Sequence, residues 1–350
     1  MIHIVGTGPV GLIMEKVCQD RQWPYRIFGP KVVLEKLPQK SILLSEGSLC
    51  FLNAIGVSLP VTKRFSNLKI TQQGRIHHLN ILAKDYGQSH LCYMVKFRDF
   101  VASLASGSQA IPHMVSKIEK QDNQLILHAH NTPETYNAQF IIACDGVNSI
   151  AKKLEKIDTQ FHNQQQAYLI PITISGNTLM QRQVTYHGTP VTLGIIPGSP
   201  GMIIATSTRP LKTPFNLADL QTLVGHYYDL SCIGEQTQLH FMPTLSQTCH
   251  KNHTLLLGNA AMTISPVAAQ GLNHAIHNIK AIHNLPTFNL DLLTPLAKKM
   301  QINNEGLFKT MQWITQPTPF MRGMMKPLMA TQLISPIIKD LIWQFGNRYD

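Results

Sequence analysis

The sequence predicts an α/β protein in which a mostly parallel sheet is interrupted by an antiparallel sheet and followed by C-terminal helices. Apolar runs at residues 2–5, 140–144 and 254–257 each end in a glycine-containing turn, which is typical of buried parallel strands. Between the second and third runs, shorter stretches are punctuated by Gly, Pro and Asn, which favours antiparallel strands. A chain of 350 residues is long enough for two packed domains.

The amino-acid composition indicates which classes of partner the protein can bind. Only 14% of the residues are charged, and the formal net charge of +11 suits an acidic partner such as nucleic acid, an anionic membrane face or a phosphate-rich cofactor. Lys and Arg are spread singly without a nucleic-acid-binding motif, so we expect no nucleic acid partner. No signal-peptide pattern and no membrane-spanning apolar run is present, since a span needs roughly 18 to 20 residues. We expect a cytoplasmic protein, with peripheral contact on the inner face of the membrane as an open alternative.

The cysteines and histidines do not indicate a metal site or a disulfide framework. No C-x-x-C pair occurs, which favours buried small hydrophobic cysteines. His250 with His253 lies in a predicted loop, and His274 with His277 lacks a carboxylate partner nearby, so we predict no bound metal. The cysteines are Cys18, Cys50, Cys92, Cys144, Cys232 and Cys249.

The first apolar run leads into a loop with the spacing G-x-G-x-x-G. Gly6 permits a tight turn, Gly8 lets the backbone approach a pyrophosphate, and Gly11 lets the following helix pack on the strand. Pro9 suits the first position of that helix. We predict a Rossmann-type dinucleotide loop, and we expect that a β-branched residue at Gly8 collides with the ligand and strains the turn. The alternatives are a simple glycine-rich turn that binds no dinucleotide and a glycine-rich NAD-type fold.

Two further motifs follow the other apolar runs. The run ending at residue 144 delivers Asp145 and Gly146, and the run ending at residue 257 delivers Gly258 and Asn259. A later segment, Pro266–Asn273, opens a predicted helix. Ligand-binding residues of α/β sheets lie at the carboxyl ends of the strands, where these motifs are expected.

The three motifs in this order resemble the class A flavin-dependent aromatic hydroxylases, whose fold is that of para-hydroxybenzoate hydroxylase. Those enzymes carry G-x-G-x-x-G, D-G-x-x-S, and G-D-A-A-H followed by P-x-x-G-Q-G-x-N. Asn259 within G-N-A-A most closely resembles the ubiquinone-biosynthesis hydroxylases that act on 2-polyprenyl-6-methoxyphenol. The resemblance covers nearly the whole chain and implies a Rossmann-type FAD-binding domain with an interleaved antiparallel-sheet substrate domain.

The resemblance implies FAD as the cofactor, with NAD(P)H or another electron donor binding transiently. It implies an oxidoreductase that hydroxylates a polyprenylated phenol with O₂ through a flavin C4a-hydroperoxide, a chemistry that needs no side-chain nucleophile, so no catalytic residue is named. Other ubiquinone-biosynthesis proteins are further implied partners. The implied cofactor-binding residues are Gly6, Gly8, Pro9, Gly11, Arg98, Asp145, Gly146, Gly258, Asn259, Pro266, Gln270, Gly271, Leu272 and Asn273. For Arg98, a solvated charge at a helix start is the equal alternative.

Five positions depart from the family pattern, one of them Asn278, which stands near the helix start where many members have Asp. Gly29 ends the second strand where an acidic residue holds the ribose, and Asn259, Met262 and Ala269 replace Asp, His and Gly. An amide at Asn259 can still bond a ribitol hydroxyl, whereas the Cβ of Ala269 is expected to narrow the space beside the flavin. The alternative function is therefore a catalytically weakened or non-catalytic accessory protein of the ubiquinone-biosynthesis assembly. A flavin reductase acting on an isoprenoid lipid is a third hypothesis.

The predicted domain boundaries are discontinuous. Residues 1–66, 97–163 and 250–285 form the FAD-binding domain, residues 67–96 and 164–249 form the substrate domain, and residues 286–350 form a C-terminal helical region. The strand at residues 68–71 is expected to pair with the later substrate strands. The amphipathic tail at residues 320–345 is predicted to be a core-facing helix, with membrane contact as the alternative.

Overall fold

The computed structural model describes residues 1–74, 78–121, 124–129 and 134–315. Its strands are β1 (Ile2–Val5), β2 (Tyr25–Phe28), β3 (Ser41–Ser45), β4 (Val61–Phe65), β5 (Asn67–Gln72), β6 (Leu79–Leu82), β7 (Cys92–Lys96), β8 (Val115–Gln121), β9 (Gln124–Ala129), β10 (Thr135–Ala138), β11 (Phe140–Ala143), β12 (Thr159–Phe161), β13 (Gln165–Ile174), β14 (Leu179–Tyr186), β15 (Thr189–Ile196), β16 (Gly198–Ser207), β17 (Leu230–Ile233), β18 (Thr237–Phe241), β19 (Thr244–Ser246), β20 (His250–Lys251), β21 (Thr254–Leu256) and β22 (Met262–Thr263). Its α-helices are α1 (Pro9–Asp20), α2 (Glu46–Ala54), α3 (Phe97–Ala105), α4 (Ile150–Leu154), α5 (Leu217–Val224), α6 (Gln270–His283) and α7 (Leu290–Thr315).

The first sheet has the order β2-β1-β11-β21-β20, and all its neighbours are parallel except the β21–β20 pair. Every residue of β1 and β21 is buried, because apolar strands of a parallel sheet are covered on both faces. Helix α1 packs against α3 and α6 over this sheet, and Leu12 and Ile13 of α1 are fully buried. The predicted strands and the helix start at Pro9 are confirmed.

The largest sheet has the order β17-β13-β16-β15-β14-β5-β6. Its pairs are antiparallel except for β14 with β5, which confirms the predicted pairing of the strand at residues 68–71. Helix α5 covers one face, where Leu220 and Leu223 share an apolar core with Leu193 and Ile203. We call the opposite side of this sheet the inner face. Gly194 of β15 lies on it and pairs with Ile204 of β16.

Strand β18 also pairs with β13 of the largest sheet, and the remaining strands form three smaller sheets, β3-β7-β4, β10-β9-β8 and β12-β19-β22. Strand β7 falls within residues 67–96 of the predicted substrate domain, yet it pairs with β3 and β4 of the predicted FAD-binding domain. Met94 of β7 and Phe65 of β4 also pack against residues of the inner face. The small sheet therefore links the two predicted domains.

Two sequence predictions concern surfaces. The prediction that all six cysteines are buried is confirmed for Cys18 and Cys249, while Cys92 and Cys144 are only half-buried. It is wrong for Cys50 and Cys232, which are exposed because they lie on the solvent side of α2 and on β17 at the edge of the large sheet. The predicted amphipathic tail at residues 320–345 lies outside the described residues, so the described part of the C-terminal region is α7. Within the described ranges, no helix is both long and apolar enough to cross a membrane.

Candidate functional site

Three motifs meet at one edge of the first sheet. Strands β1, β11 and β21 are parallel neighbours, so their carboxyl ends lie side by side. The ladder continues to the motifs, because the Cys144 amide donates to the Val5 carbonyl at 2.8 Å and the Leu257 amide donates to the Ala143 carbonyl at 2.9 Å. The glycine loop, the Asp145-Gly146 turn and the Gly258-Asn259 turn are thus brought together, as ligand sites are in open α/β sheets.

Gly6 and Gly11 are required by the protein itself. Gly6 has φ +111, and a Cβ there would lie 2.5 Å from the Cys144 carbonyl oxygen. A Cβ on Gly11 would lie only 1.9 Å from the Gly6 carbonyl oxygen. Side chains at these two positions would push α1 away from β1 and β11.

Gly8 differs from both of these glycines. It is exposed, its φ of −70 is ordinary, and a Cβ there would meet no atom of the described residues within 4 Å. The prediction that a side chain strains this turn is therefore wrong, because the backbone is already in an extended conformation open to any residue. Gly8 is the N-cap of the 12-residue helix α1, which no side chain caps, so the amides of the first turn are available to an anion.

Packing explains why Gly29, and not an acidic residue, stands at the end of β2. A Cβ on Gly29 would lie 2.6 Å from Thr7 Oγ1 and 2.8 Å from the Thr7 amide nitrogen. Thr7 is buried, and its hydroxyl donates to the Pro30 carbonyl at 2.7 Å. Any side chain at position 29 would displace the glycine loop. Sequence reasoning missed Thr7, because nothing local marks the second residue of the G-x-G motif.

Arg98 lies in the first turn of α3. Its guanidinium Nη2 donates to the Glu35 carbonyl at 3.5 Å, while Nε is buried without a partner among the described residues. Glu35 itself is exposed in the short 3₁₀ turn Leu34–Lys36, which packs against α3. A buried guanidinium nitrogen that lacks an acceptor fits a site for a phosphate-bearing group.

Asp145 has one carboxylate oxygen engaged and one without a partner. Oδ2 accepts the Ile150 amide at 2.8 Å and so supports the start of α4, while Oδ1 is buried and has no partner in the described ranges. Burial is the main cause that raises the pKa of Asp145 above its usual value. Gly146 follows with φ +82, a conformation that glycine adopts without strain.

The third motif spans two turns. Gly258 has φ +56 and contacts α1, since a Cβ there would lie 2.9 Å from the Val10 side chain. Asn259 is exposed beside it, as a ligand-facing amide would be. The departure at Met262 also has a packing cause, because this side chain is buried in an apolar cluster with Leu245.

The second turn of the motif precedes α6. Pro266–Ala268 forms a 3₁₀ turn, and Ala269 then takes the left-handed φ of +52. The Val267 carbonyl abuts the inner face, because a Cβ on Gly194 would lie 2.5 Å from it. This turn is therefore wedged between the first sheet and the large sheet.

The start of α6 contains the remaining predicted residues. Gln270 Oε1 is buried without a partner among the described residues. A Cβ on Gly271 would lie 3.8 Å from the Ile264 side chain, which is an ordinary contact distance. Leu272 packs partly buried against the core of the first sheet. These residues lie beside the glycine loop because α6 packs against α1.

Asn273 is engaged by the protein rather than open to a ligand. Its Oδ1 accepts the Ser45 amide at 2.9 Å, and its Nδ2 donates to the carbonyls of Leu43 and Ala269 at 3.0 Å each. The side chain therefore ties the start of α6 to β3 and holds the left-handed turn. Sequence spacing cannot show this, because Ser45 lies 228 residues away in the chain.

These features fit FAD. The uncapped helix start suits its pyrophosphate, the Asn259 amide suits a ribitol hydroxyl, and the buried polar atoms of Arg98, Asp145 and Gln270 lack partners among the described residues. Residues 113–285 match a family model described as an FAD binding domain. This chain contains an FAD-binding domain. The match includes the second and third motifs, and the predicted cofactor is confirmed.

Solved structures show where else this fold occurs. The flavoprotein/dehydrogenase of Cytophaga hutchinsonii is 12% identical with a TM-score of 0.73, over 98% of this chain and 92% of that chain. The p-nitrophenol 4-monooxygenase PnpA of Pseudomonas putida is 11% identical with a TM-score of 0.69, over 99% and 98%. The anhydrotetracycline hydroxylase OxyS of Streptomyces rimosus is 15% identical with a TM-score of 0.67, over 100% and 76%. The predicted flavoprotein hydroxylase fold is confirmed. A search of curated protein sequences found no significant match.

Proposed function

We propose that this FAD-binding protein is a monooxygenase that hydroxylates a polyprenylated phenol in ubiquinone biosynthesis. One observation carries the proposal: the turn Pro266–Ala268, which leads into the predicted flavin-facing helix, abuts Gly194 on the inner face of the large sheet. A ring bound against the inner face is thereby close to the cofactor edge. FAD, when bound, supplies the oxygen activation and transfer, and the protein supplies orientation and a site from which water is excluded.

The chain's own residues have separable tasks in this proposal. The amides at the start of α1 hold the pyrophosphate beside Gly8, and the amide of Asn259 bonds a ribitol hydroxyl. Asn273 is a positioning residue, because its three hydrogen bonds hold the start of α6 against β3. NAD(P)H or another donor is proposed as the source of electrons.

An apolar wall lies where the small sheet β3-β7-β4 packs on the inner face, and its members are buried against one another. Its residues are drawn from β4, β7, β14, β15 and β16, and the methionines among them can adjust their shape to an irregular chain. We infer that the isoprenoid part of the proposed substrate lies beside this wall, and that a peripheral contact of the protein with the membrane delivers it. Its members are Phe65, Met94, Leu179, Ile196, Met202 and Ile204.

The experiment uses purified FAD-loaded protein, NADPH or NADH, and a 2-prenyl-6-methoxyphenol with a shortened tail. Under isotopically labelled O₂, we expect a hydroxylated product that carries one labelled oxygen atom, measured by mass spectrometry. In cells that lack the protein and have no compensating hydroxylase, we expect less ubiquinone and an accumulated prenylated phenol. Unlabelled product, or an unchanged quinone profile in such cells, contradicts the proposal.

A non-catalytic accessory protein of the same assembly is the second candidate, and Ala269 favours it. This residue occupies a left-handed conformation that glycine adopts more easily, directly before the flavin-facing helix. The absorbance spectrum separates the candidates. A two-band flavin spectrum that bleaches with NAD(P)H and returns in air supports the enzyme, whereas a colourless protein that rejects added FAD supports the accessory role.

A further inference from the structure

The inner face carries a cavity of about 470 Å³ at some distance from the apolar wall. Its floor is a row of side chains that stand opposite one another across four strands. Gln72 of β5 pairs with Gln183 of β14, which pairs with Thr192 of β15, which pairs with Thr206 of β16. Opposed residues of neighbouring strands point to the same face, so this row is a continuous polar surface.

The cavity is close to the predicted flavin-facing turn. Thr192 lies on the same face as Gly194, two residues earlier in β15, so the two are separated by roughly 6 to 7 Å along the strand. Gly194 contacts Val267 of the turn that leads into α6. The polar row, which includes Thr192, therefore lies next to this contact on one side of Gly194. The apolar wall begins on the other side of Gly194, at Ile196.

A deeply buried polar group lines this cavity. Gln165 of β13 is only 2% exposed, and its Nε2 has no hydrogen-bond partner among the described residues. An unmatched buried amide is costly for a folded protein unless a water or a ligand engages it. Gln165 thus marks a position where a bound molecule would supply an acceptor.

The chemistry of the lining selects the ligand. The described lining residues include amide and hydroxyl side chains and no carboxylate, and Arg209 is the one cationic side chain among them. Arg209 is exposed, so it is solvated without a ligand. The amide and hydroxyl side chains of this cavity can donate hydrogen bonds to neutral oxygen acceptors. Its volume falls within the roughly 300 to 1,000 Å³ of small-molecule sites.

We propose that this cavity binds the methoxy oxygens of an uncharged aromatic ring. The inference deepens the proposed function and rests on it, because it names the polar end of a substrate whose isoprenoid end lies along the apolar wall. The Gln165 amide donates to a substituent oxygen, and the row from Gln72 to Thr206 offers further partners.

The test compares two probes of similar size by equilibrium dialysis against FAD-loaded protein without reductant. The first is 3,4,5-trimethoxyphenol, and the second is 3,4,5-triethylphenol, in which CH₂ groups replace the ether oxygens. We expect Gln165→Leu to weaken binding of the trimethoxy probe by about threefold to tenfold, the value of one neutral hydrogen bond, and to leave the triethyl probe unchanged. Gln160→Leu, on the exposed strand β12, is the matched control and should change neither.

The variant is expected to fold, because leucine has a similar volume and the Nε2 that it removes has no partner among the described residues, and its melting temperature should stay close to that of the wild type. If Gln165→Leu leaves the ratio of the two affinities unchanged, or if neither probe binds, the proposal is overturned. Apart from Asn163, the described lining residues fall within the predicted substrate domain, so the dialysis is repeated on protein without flavin. A failure of FAD binding or of turnover therefore remains distinguishable from a failure of this site.

Discussion

The glycine loop at the start of the chain and the turn before α6 approach the same predicted ligand in different ways. In the loop, Gly6 and Gly11 are fixed by contacts with the protein backbone, and Gly8 is open. In the turn, Ala269 holds a left-handed conformation without a glycine, and Asn273 fastens the turn through three hydrogen bonds. The loop is thus specified by packing, whereas the turn is specified by side-chain hydrogen bonds that tolerate a change of residue.

Gly11→Ala should have the largest effect on this comparison. The new Cβ would lie 1.9 Å from the Gly6 carbonyl oxygen, so α1 must move away from the sheet. We expect the free energy of unfolding to fall by roughly 3 kcal/mol, measured by urea denaturation. Gly8→Ala is the matched control and should change it by less than about 0.5 kcal/mol. Equal effects of the two substitutions would contradict the distinction between these glycines.

Acid should destabilise the strand that leads into the loop. His3 of β1 is fully buried and stacks on Phe28, and burial, followed by the charge of Arg26, lowers its pKa from 6.5 to about 4. The unfolded chain therefore binds a proton below pH 6.5 that the folded chain does not bind until about pH 4. Stability should be fully present above pH 6.5 and fall by roughly 3 kcal/mol between these values.

The measurement is the free energy of unfolding in urea, determined at pH values from about 7.5 down to about 4. His3→Leu should remove most of the decline, and His226→Leu, on the exposed surface, should leave it in place. A decline of the same size in the His3 variant would assign the acid sensitivity elsewhere.

Asn273→Ala should show that the second turn depends on side-chain hydrogen bonds. The substitution removes three bonds and leaves the Ser45 amide without its acceptor, so we expect a loss of roughly 2 kcal/mol in stability together with weaker FAD binding. Asn259→Ala is the control, because this side chain is exposed. It should weaken FAD binding and leave the melting temperature of the flavin-free protein nearly unchanged. If Asn273→Ala affects only flavin affinity, Asn273 contacts the ligand directly.

The sequence predicts those features of the fold and site that depend on residues close together in the chain. The glycine loop, the Asp145 turn and the start of α6 are local patterns, and each was predicted at its observed place. The reason for Gly29 was not, because Thr7 and Gly29 meet only when β1 and β2 pair. The partners of Asn273 lie on β3, and the β8–β10 sheet was not anticipated, because such pairings have no local signature.

Ala269→Gly should have the smallest effect, with a favourable sign. Glycine adopts φ +52 without the penalty of a Cβ, so the variant should be more stable by about 1 kcal/mol in thermal unfolding. The matched control is Ala218→Gly within α5, where glycine should destabilise by roughly 0.5 to 1 kcal/mol. Destabilisation by both substitutions would show that the Ala269 methyl group contributes packing that outweighs its strain.

The flavin content of Gly8→Val tests the central claim most directly, because position 8 is open within the protein and closed only by the proposed ligand. Within the part of the chain that the structure describes, no atom lies within 4 Å of the added Cβ, and the φ of −70 accommodates valine. We expect a native far-UV circular dichroism spectrum, a melting temperature close to that of flavin-free wild type, and little bound FAD beside a wild type that binds it. A Gly8→Val protein that retains the flavin content of the wild type would show that the glycine loop does not hold the pyrophosphate, and would contradict the assignment of this edge of the sheet as the FAD site.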